Sequence, residues 1–149
     1  MAPNEERHAS AVSRQYRSAD IAVHWEPEYC IHSAICWRSL PAVFDPQARP
    51  WVKTDAAGAD EVAWVVGACP SGALSFERLD GGPAEPVPAT VSVDPQTDGP
   101  LYFRGRLRII DKQGNVVREA TRAALCRCGH SQNKPFCDLS HLRVRFRAE

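Results

Sequence analysis

Three cysteines and a histidine near the C-terminus, Cys126, Cys128, Cys137 and His141, fall at C-x-C-x8-C-x3-H spacing. Four side chains that bind metals through sulfur or imidazole nitrogen therefore lie within sixteen residues. Thiolates are soft ligands that suit zinc or iron–sulfur centres. A C-x-C pair is too tight for an ordinary disulfide between its members, but both sulfurs can point at one metal ion or one iron. Structural zinc sites use C-x2-C knuckles with the pairs well separated. The spacing here favours an iron–sulfur centre over zinc.

The remaining cysteines, Cys30, Cys36 and Cys69, form a frame C-x2-S-x2-C…C-P with Ser33 at the central position. In bacterial ferredoxins a C-x2-C-x2-C run and a Cys-Pro supply thiolates to cubane clusters. Here the middle cysteine is missing. Pro70 brings no backbone donor and turns the chain away after Cys69. Three thiolates suffice for a 3Fe–4S cluster, whereas a 4Fe–4S cluster needs a fourth ligand from His32, Ser33 or solvent. His32 is the better base, and Ser33 is in register with the missing cysteine. Free cysteines are often simply core, but the spaced pair and the Cys-Pro occur together, which favours a cluster.

The C-terminal segment resembles the CDGSH iron–sulfur proteins, the mitoNEET-like group, whose signature is C-x-C-x2-(S/T)-x3-P-x-C-D-G-(S/A/T)-H. Cys126, Cys128, Ser131, Pro135, Cys137, Asp138, Ser140 and His141 fall on it in register. The resemblance implies a 2Fe–2S cluster with Cys126 and Cys128 on one iron, and Cys137 and His141 on the other. The glycine of the signature is Leu139 here. The expectation is a helical Leu139, with Asp138 capping a short turn that carries His141. Ser131 is expected to bond a cluster sulfur or the loop backbone, and Lys134 to be solvated or to lend the cluster a charge. His130 is expected to face solvent. Residues 16–78 resemble the divergent single-cluster ferredoxin-like domains, through Cys30-Ile-His-Ser-Ala-Ile-Cys36, Leu40-Pro-Ala-Val-Phe-Asp45, Arg49-Pro-Trp-Val52 and Cys69-Pro-Ser-Gly-Ala-Leu74.

The elements that must position these residues are short. Twelve prolines and nine glycines point to many turns. Residues 1–17 read as a polar, aperiodic tail. Ile21–Trp25 reads as a strand, Ser33–Leu40 as one or two helical turns stopped by Pro41, and Trp51–Lys53 as a short strand. Asp60 reads as the N-cap of a helix with Val62, Val65 and Val66 on one face and Gly67 at its end. Ala73–Phe76 returns as a strand. Residues 80–89, with two glycines and three prolines, are the best linker in the chain. Beyond them Val91–Val93, Leu101–Phe103, Leu107–Ile110 and Val116–Val117 read as strands, with a turn at 111–115. Arg143-Val-Arg145-Phe-Arg147 reads as an edge strand with one wet face. The expected fold class is α+β: a small ferredoxin-like module at 16–79 followed by a β-rich CDGSH module at 88–149.

The zero net charge conceals an asymmetry. Residues 1–100 hold 7 basic and 14 acidic side chains, and residues 101–149 hold 11 and 4. Two solvated faces of opposite sign would explain it; docking of the two halves, or steering of a basic redox partner, are sharper readings. No run reaches the roughly 18–20 apolar residues of a membrane span, and the first residues lack a signal-peptide core, so a cytoplasmic protein is expected. No Ser/His/Asp constellation and no phosphate-binding glycine loop is found, which argues against an enzyme and leaves the chemistry to the clusters. The leading expectation is electron transfer through two clusters, the partner being a reductase or an electron acceptor. The alternative is a cluster carrier or redox sensor that delivers its 2Fe–2S cluster to an apo iron–sulfur protein. A structural zinc module is the third reading. Neither nucleic acid nor membrane is expected as a partner, and a monomer and a homodimer are both compatible.

Overall fold

The computed structural model describes residues 14–149. The fold is α+β, with two three-stranded antiparallel sheets and short helices among the described residues. In the first half, β1 (Arg14–Arg17), β2 (Ile21–Trp25) and β3 (Leu74–Arg78) lie in the order β1-β2-β3. Between β2 and β3 come α1 (Ile35–Ser39) and α2 (Ala59–Gly67). In the second half, β4 (Ser92–Pro95), β5 (Leu101–Ile110) and β6 (Val116–Leu125) form the sheet β4-β5-β6, and α3 (Ser140–Arg143) follows.

Several elements differ from what the sequence suggested. Of the expected tail, residues 1–13 lie outside the described residues, and Arg14–Arg17 pairs with β2 as a strand. Its side chains are mostly exposed, so no apolar alternation marks it. Trp51–Lys53 contributes only a bridge between Val52 and Phe44. Gly58, not Asp60, is the N-cap of α2; Asp60 lies in the first turn and accepts a 2.8 Å hydrogen bond from Arg78. The two short strands expected over 101–110 are one strand, broken in register between Arg104 and Leu107, where Gly105 takes φ 141°. A bulge of that kind shifts the apolar alternation without ending the strand. Residues 143–147 are not an edge strand. After α3, Arg145 turns at φ 53° and the Phe146 N–H donates to the His141 carbonyl. The alternation is real, since Val144 and Phe146 are half-buried and the arginines exposed, but a turn produces it.

The first half has its own core, in which Ile21, Val23, Phe44, Val62, Val66 and Leu74 are sealed from solvent. Alternation in β2 and the i, i+3, i+4 spacing of the α2 valines supply it. Among the described residues, the buried apolar clusters that include the second half also include the first. Phe136 packs with Tyr29 and Ala73, and Ala124 and Cys137 pack with Ile31. The Tyr29 and Phe136 rings meet edge to face at 4.6 Å.

Two buried arginines of β6 complete this junction. Arg122, 1% exposed, donates from Nη1 to the Cys69 carbonyl (2.6 Å) and from Nη2 to that of Leu74 (3.0 Å). Its Nε donates to Glu85 Oε1 at 2.7 Å, and Nη2 to Oε2 at 3.2 Å. Arg118 donates to the carbonyls of Ser71 (3.0 Å) and Gly72 (2.8 Å). Gly72 has φ 69°, and a Cβ there would collide with the Arg122 carbonyl, so glycine is required for this approach. The irregular segment over 80–89 is thus anchored at Glu85, which also accepts from Thr121. The halves do dock, chiefly by guanidinium forks on main-chain carbonyls.

Removing one partner of a buried, hydrogen-bonded ion pair costs about 3–5 kcal/mol. Arg122→Ala is expected to destabilise the protein by about that much. Trp25, Trp37, Trp51 and Trp64 all lie in the first half, so tryptophan fluorescence during urea unfolding reads that half. An unchanged fluorescence midpoint would mean that the halves unfold independently.

Candidate metal centres

β6 runs directly into Cys126, and the loop that follows closes on the strand end. The Cys126 N–H donates to the Pro135 carbonyl (2.8 Å) and the Cys137 N–H to that of Ala124 (2.9 Å). This sets Cys126 and Cys137 side by side at the loop base. The Cys126 and Cys128 sulfurs are 3.8 Å apart, and His141 Nδ1 is 3.6 Å from Cys137 Sγ. Nδ1 is therefore the ring nitrogen turned toward the thiols. All four side chains line one small cavity, bounded also by Gly99 and Pro100.

The loop geometry has clear causes. Ser131 donates to the Phe136 carbonyl at 2.6 Å and accepts from the Asn133 N–H at 3.0 Å, so it bonds the backbone. The Asp138 carboxylate accepts from the Ser140 N–H (2.9 Å) and the Gln132 N–H (2.8 Å), joining the start of α3 to the loop. Burial opposes its ionisation, but these bonds to Ser140 and Gln132 outweigh it and hold the carboxyl below its usual range. Leu139 is not helical. It takes φ 71° and ψ 9°, because its N–H turns back toward Cys137 Sγ at 3.4 Å. Its half-buried side chain packs against the cluster of Ile31, Ala124 and Cys137, which draws on both halves. Lys134 is exposed and does not line the cavity, and His130 is exposed as well.

The first site is built by a loop and a helix end. Cys30 follows the 3-10 turn Pro27–Tyr29, Cys36 lies in the first turn of α1, and Cys69 follows α2 with its N–H on the Val66 carbonyl. His32 at φ 53° and Ala34 at φ 66° curl the loop between the first two. All three cysteines line a cavity of about 840 Å³, together with His32 and Ser33, so both candidate fourth ligands are brought there. His32 Nδ1 is 3.8 Å from Cys30 Sγ, and Ser33 Oγ accepts from the Ile35 N–H at 3.5 Å.

The donor sets fit multi-iron groups. Burial pushes the Cys36 thiol up to about 11, with further contributions from Cys69 and Cys30, and burial also raises Cys30 and Cys137. Such thiols stay protonated near neutrality unless a metal takes the proton's place. At Cys126 burial is outweighed by the N–H groups of Ser131 and Gly129 and by Cys128, and the thiol is lowered. Backbone N–H groups two residues on point at Cys30, Cys128 and Cys137, each at 3.4 Å. Donors of this kind stabilise sulfur charge, one of the levers on cluster potential. Among the described residues, no three His, Cys, Asp or Glu side chains group tightly enough to hold one metal ion. The second site presents instead two ligand pairs around a shared space.

Arg127, the middle residue of C-x-C, was not singled out from the sequence. Its guanidinium donates to the carbonyls of Gln96 (2.6 Å) and Gly99 (3.0 Å), holding the β4–β5 turn that walls the second site. No spacing rule marks such a residue, because its partners are main-chain atoms far along the chain.

Fold, paired thiols and thiol-directed N–H groups together define an iron–sulfur protein. Residues 16–78 match the family described as divergent 4Fe-4S mono-cluster, and residues 98–142 match the iron-binding zinc finger CDGSH type. Two Escherichia coli proteins, each called Uncharacterized protein YjdI and found in strain K12 and in O157:H7, are 33% identical over 65 residues, covering 44% of this chain and 86% of theirs. The chain belongs to the divergent 4Fe-4S mono-cluster family and carries a CDGSH-type domain behind that module. No helix among the described residues is long and apolar enough to cross a membrane.

The left-handed backbone at Leu139 gives a sign test. Leu139→Ala loses the packing on the Ile31, Ala124 and Cys137 cluster and keeps the strained φ, and about 2 kcal/mol of destabilisation is expected. Leu139→Gly loses the same packing but relieves the strain, worth about 1–2 kcal/mol. Urea denaturation should find glycine less damaging than alanine, the reverse of the order inside a helix. Alanine being the milder change would contradict the assigned conformation.

Proposed function

We propose that this chain is a two-cluster electron-transfer protein. Cys126, Cys128, Cys137 and His141 are the ligands of a 2Fe–2S cluster. Cys30, Cys36 and Cys69 hold a 3Fe–4S cluster, or a 4Fe–4S cluster completed by His32 or Ser33. Each set belongs to one module, 16–79 and 88–149. When bound, such groups supply one-electron redox chemistry. The observation that carries the reading is the contact between the two ligand loops. Ile31, beside Cys30, shares one buried apolar cluster with Ala124 and Cys137, and Asn133 donates to the Glu28 carbonyl at 3.1 Å. Two ligand loops joined by a shared apolar cluster and a hydrogen bond suit electron exchange within one molecule. The partner is then a reductase or an electron acceptor, and the chain needs no catalytic group of its own.

His141 gives the second site a proton-sensitive corner. Nδ1 faces the thiols, which leaves Nε2 for the other side of a half-exposed ring. A neutral imidazole in place of a thiolate raises the potential, and histidine is the side chain suited to coupling a charge change to pH. Protonation of Nδ1 would remove one ligand. That half-exposed corner also supports the second reading, a carrier that releases its cluster to an apo iron–sulfur protein.

Anaerobic iron and sulfide counts, with paramagnetic resonance of oxidised and reduced protein, test the assignment. Iron beyond that of one 2Fe–2S cluster is expected; two irons per chain would remove the first site from the proposal. Mild acidification is expected to bleach the second site. His141→Cys should resist acid and shift the midpoint to lower potential, and an unchanged potential would refute the role given to His141. Reversible reduction without loss of iron to an apo-acceptor separates electron transfer from cluster delivery.

A further inference from the structure

Arg118 occupies an unusual position. It comes from the second half, yet it is buried beside the ligand loops of the first. Its side chain is 6% exposed. Its Nη atoms reach the carbonyls of Ser71 and Gly72, just beyond Cys69. The guanidinium carbon lies 3.8 Å from the centre of the Tyr29 ring, the residue before Cys30, and 5.7 Å from that of Phe136, the residue before Cys137.

Its neighbour Arg122 differs in charge balance. Glu85 grips Arg122 through both carboxylate oxygens, the closer at 2.7 Å, with 14% of the Glu85 side chain exposed. That pair is nearly neutral as a unit. For Arg118 the nearest carboxylate is Glu26 at 3.9 Å, with 35% of its side chain exposed. Solvent weakens that partner, and arginine remains charged even where burial opposes it. Arg118 therefore places a poorly compensated positive charge against the backbone that carries Cys69 and Cys30.

We infer that Arg118 sets the reduction potential of the first site, as a charge supplied across the junction by the second module. The inference rests on the reading of Cys30, Cys36 and Cys69 as cluster ligands. Taking one electron from an external one-electron donor adds one negative charge at that site, with no bond made or broken. A buried positive charge nearby stabilises the reduced state, and a low local dielectric enlarges the effect. Arg122 with Glu85 positions the same loop and adds little net charge.

The test is an anaerobic potentiometric titration of the full chain, followed by paramagnetic resonance so that the two sites are read separately. In Arg118→Gln the reduction equilibrium at the first site should fall at least tenfold, about 59 mV for a one-electron couple, and fall less at the second. Arg118→Lys keeps the charge and should stay within threefold of wild type. Glu85→Gln uncovers the charge of Arg122 and should move the first midpoint the opposite way, which keeps the test open if the glutamine variant at 118 folds poorly. Equal shifts in the Gln and Lys variants would reduce Arg118 to a structural role, and an unmoved first midpoint in Arg118→Gln and Glu85→Gln would overturn the inference. Iron and sulfide counts on the wild type stand apart. A count for the second site alone defeats the ligand reading and the inference with it, whereas a full count with unmoved midpoints defeats the inference alone.

Discussion

Two guanidinium groups buried between the halves are the constraint on which the rest of the structure depends. Burying a cation costs several kcal/mol unless hydrogen bonds and opposite charge offset it. Here the acceptors are main-chain carbonyls of residues 69–74. Those carbonyls need donors for a reason of their own. Cys69-Pro70 and the left-handed Gly72 turn the chain out of regular structure, and a buried carbonyl without a partner is costly. The loop that presents a thiol on one side thus presents its carbonyls on the other; that of Cys69 also accepts from the Gly72 N–H. β6 supplies guanidinium forks to these oxygens, and the same strand runs into Cys126. The two metal sites share one supporting strand.

Both ligand loops use the same local device. An N–H two residues beyond a cysteine turns back on its sulfur, at Cys30, Cys128 and Cys137. The intervening backbone visits positive φ at His32, Ala34, Gly129 and Leu139. Non-glycine residues there carry about 1–3 kcal/mol of strain each, and such strain collects at functional sites. Among the described residues, His32, Ala34 and Leu139 each lie two residues from a proposed ligand, while Asp98 and Arg145 turn the chain elsewhere. Ser131 and Asp138 brace the second loop through N–H and C=O groups, and Arg127, which itself lines the cavity, holds the β4–β5 turn that walls it.

What could be read in advance followed from local chemistry. Cysteine spacing marked the residues that line the two cavities, and the period of Val62, Val65 and Val66 marked the helix before Cys69. β2 was legible from its buried apolar run, and β3 from the alternation of Leu74 and Phe76 with polar residues. Three things were not. Arg14–Arg17 is a strand because β2 offers it an open edge, while its own side chains face solvent. The Arg143–Arg147 alternation fits a strand and a helix-to-turn equally well, and the bond from Phe146 to the His141 carbonyl decides for the turn. Arg118 and Arg122 look in sequence like the wet residues of a β-strand. Only the docked first half reveals that their partners are carbonyls some fifty residues away.

Leu139 is where the joining of two modules reaches into the ligand loop itself. A glycine at this position would adopt φ 71° without strain, so leucine must recover about 1–2 kcal/mol elsewhere. Fully burying a leucine side chain is worth about 1.5–3 kcal/mol, and Leu139 gains a share of that against Ile31 and Ala124. That cluster draws on both halves, so packing at the junction offsets the strain that the departure from the CDGSH glycine brings.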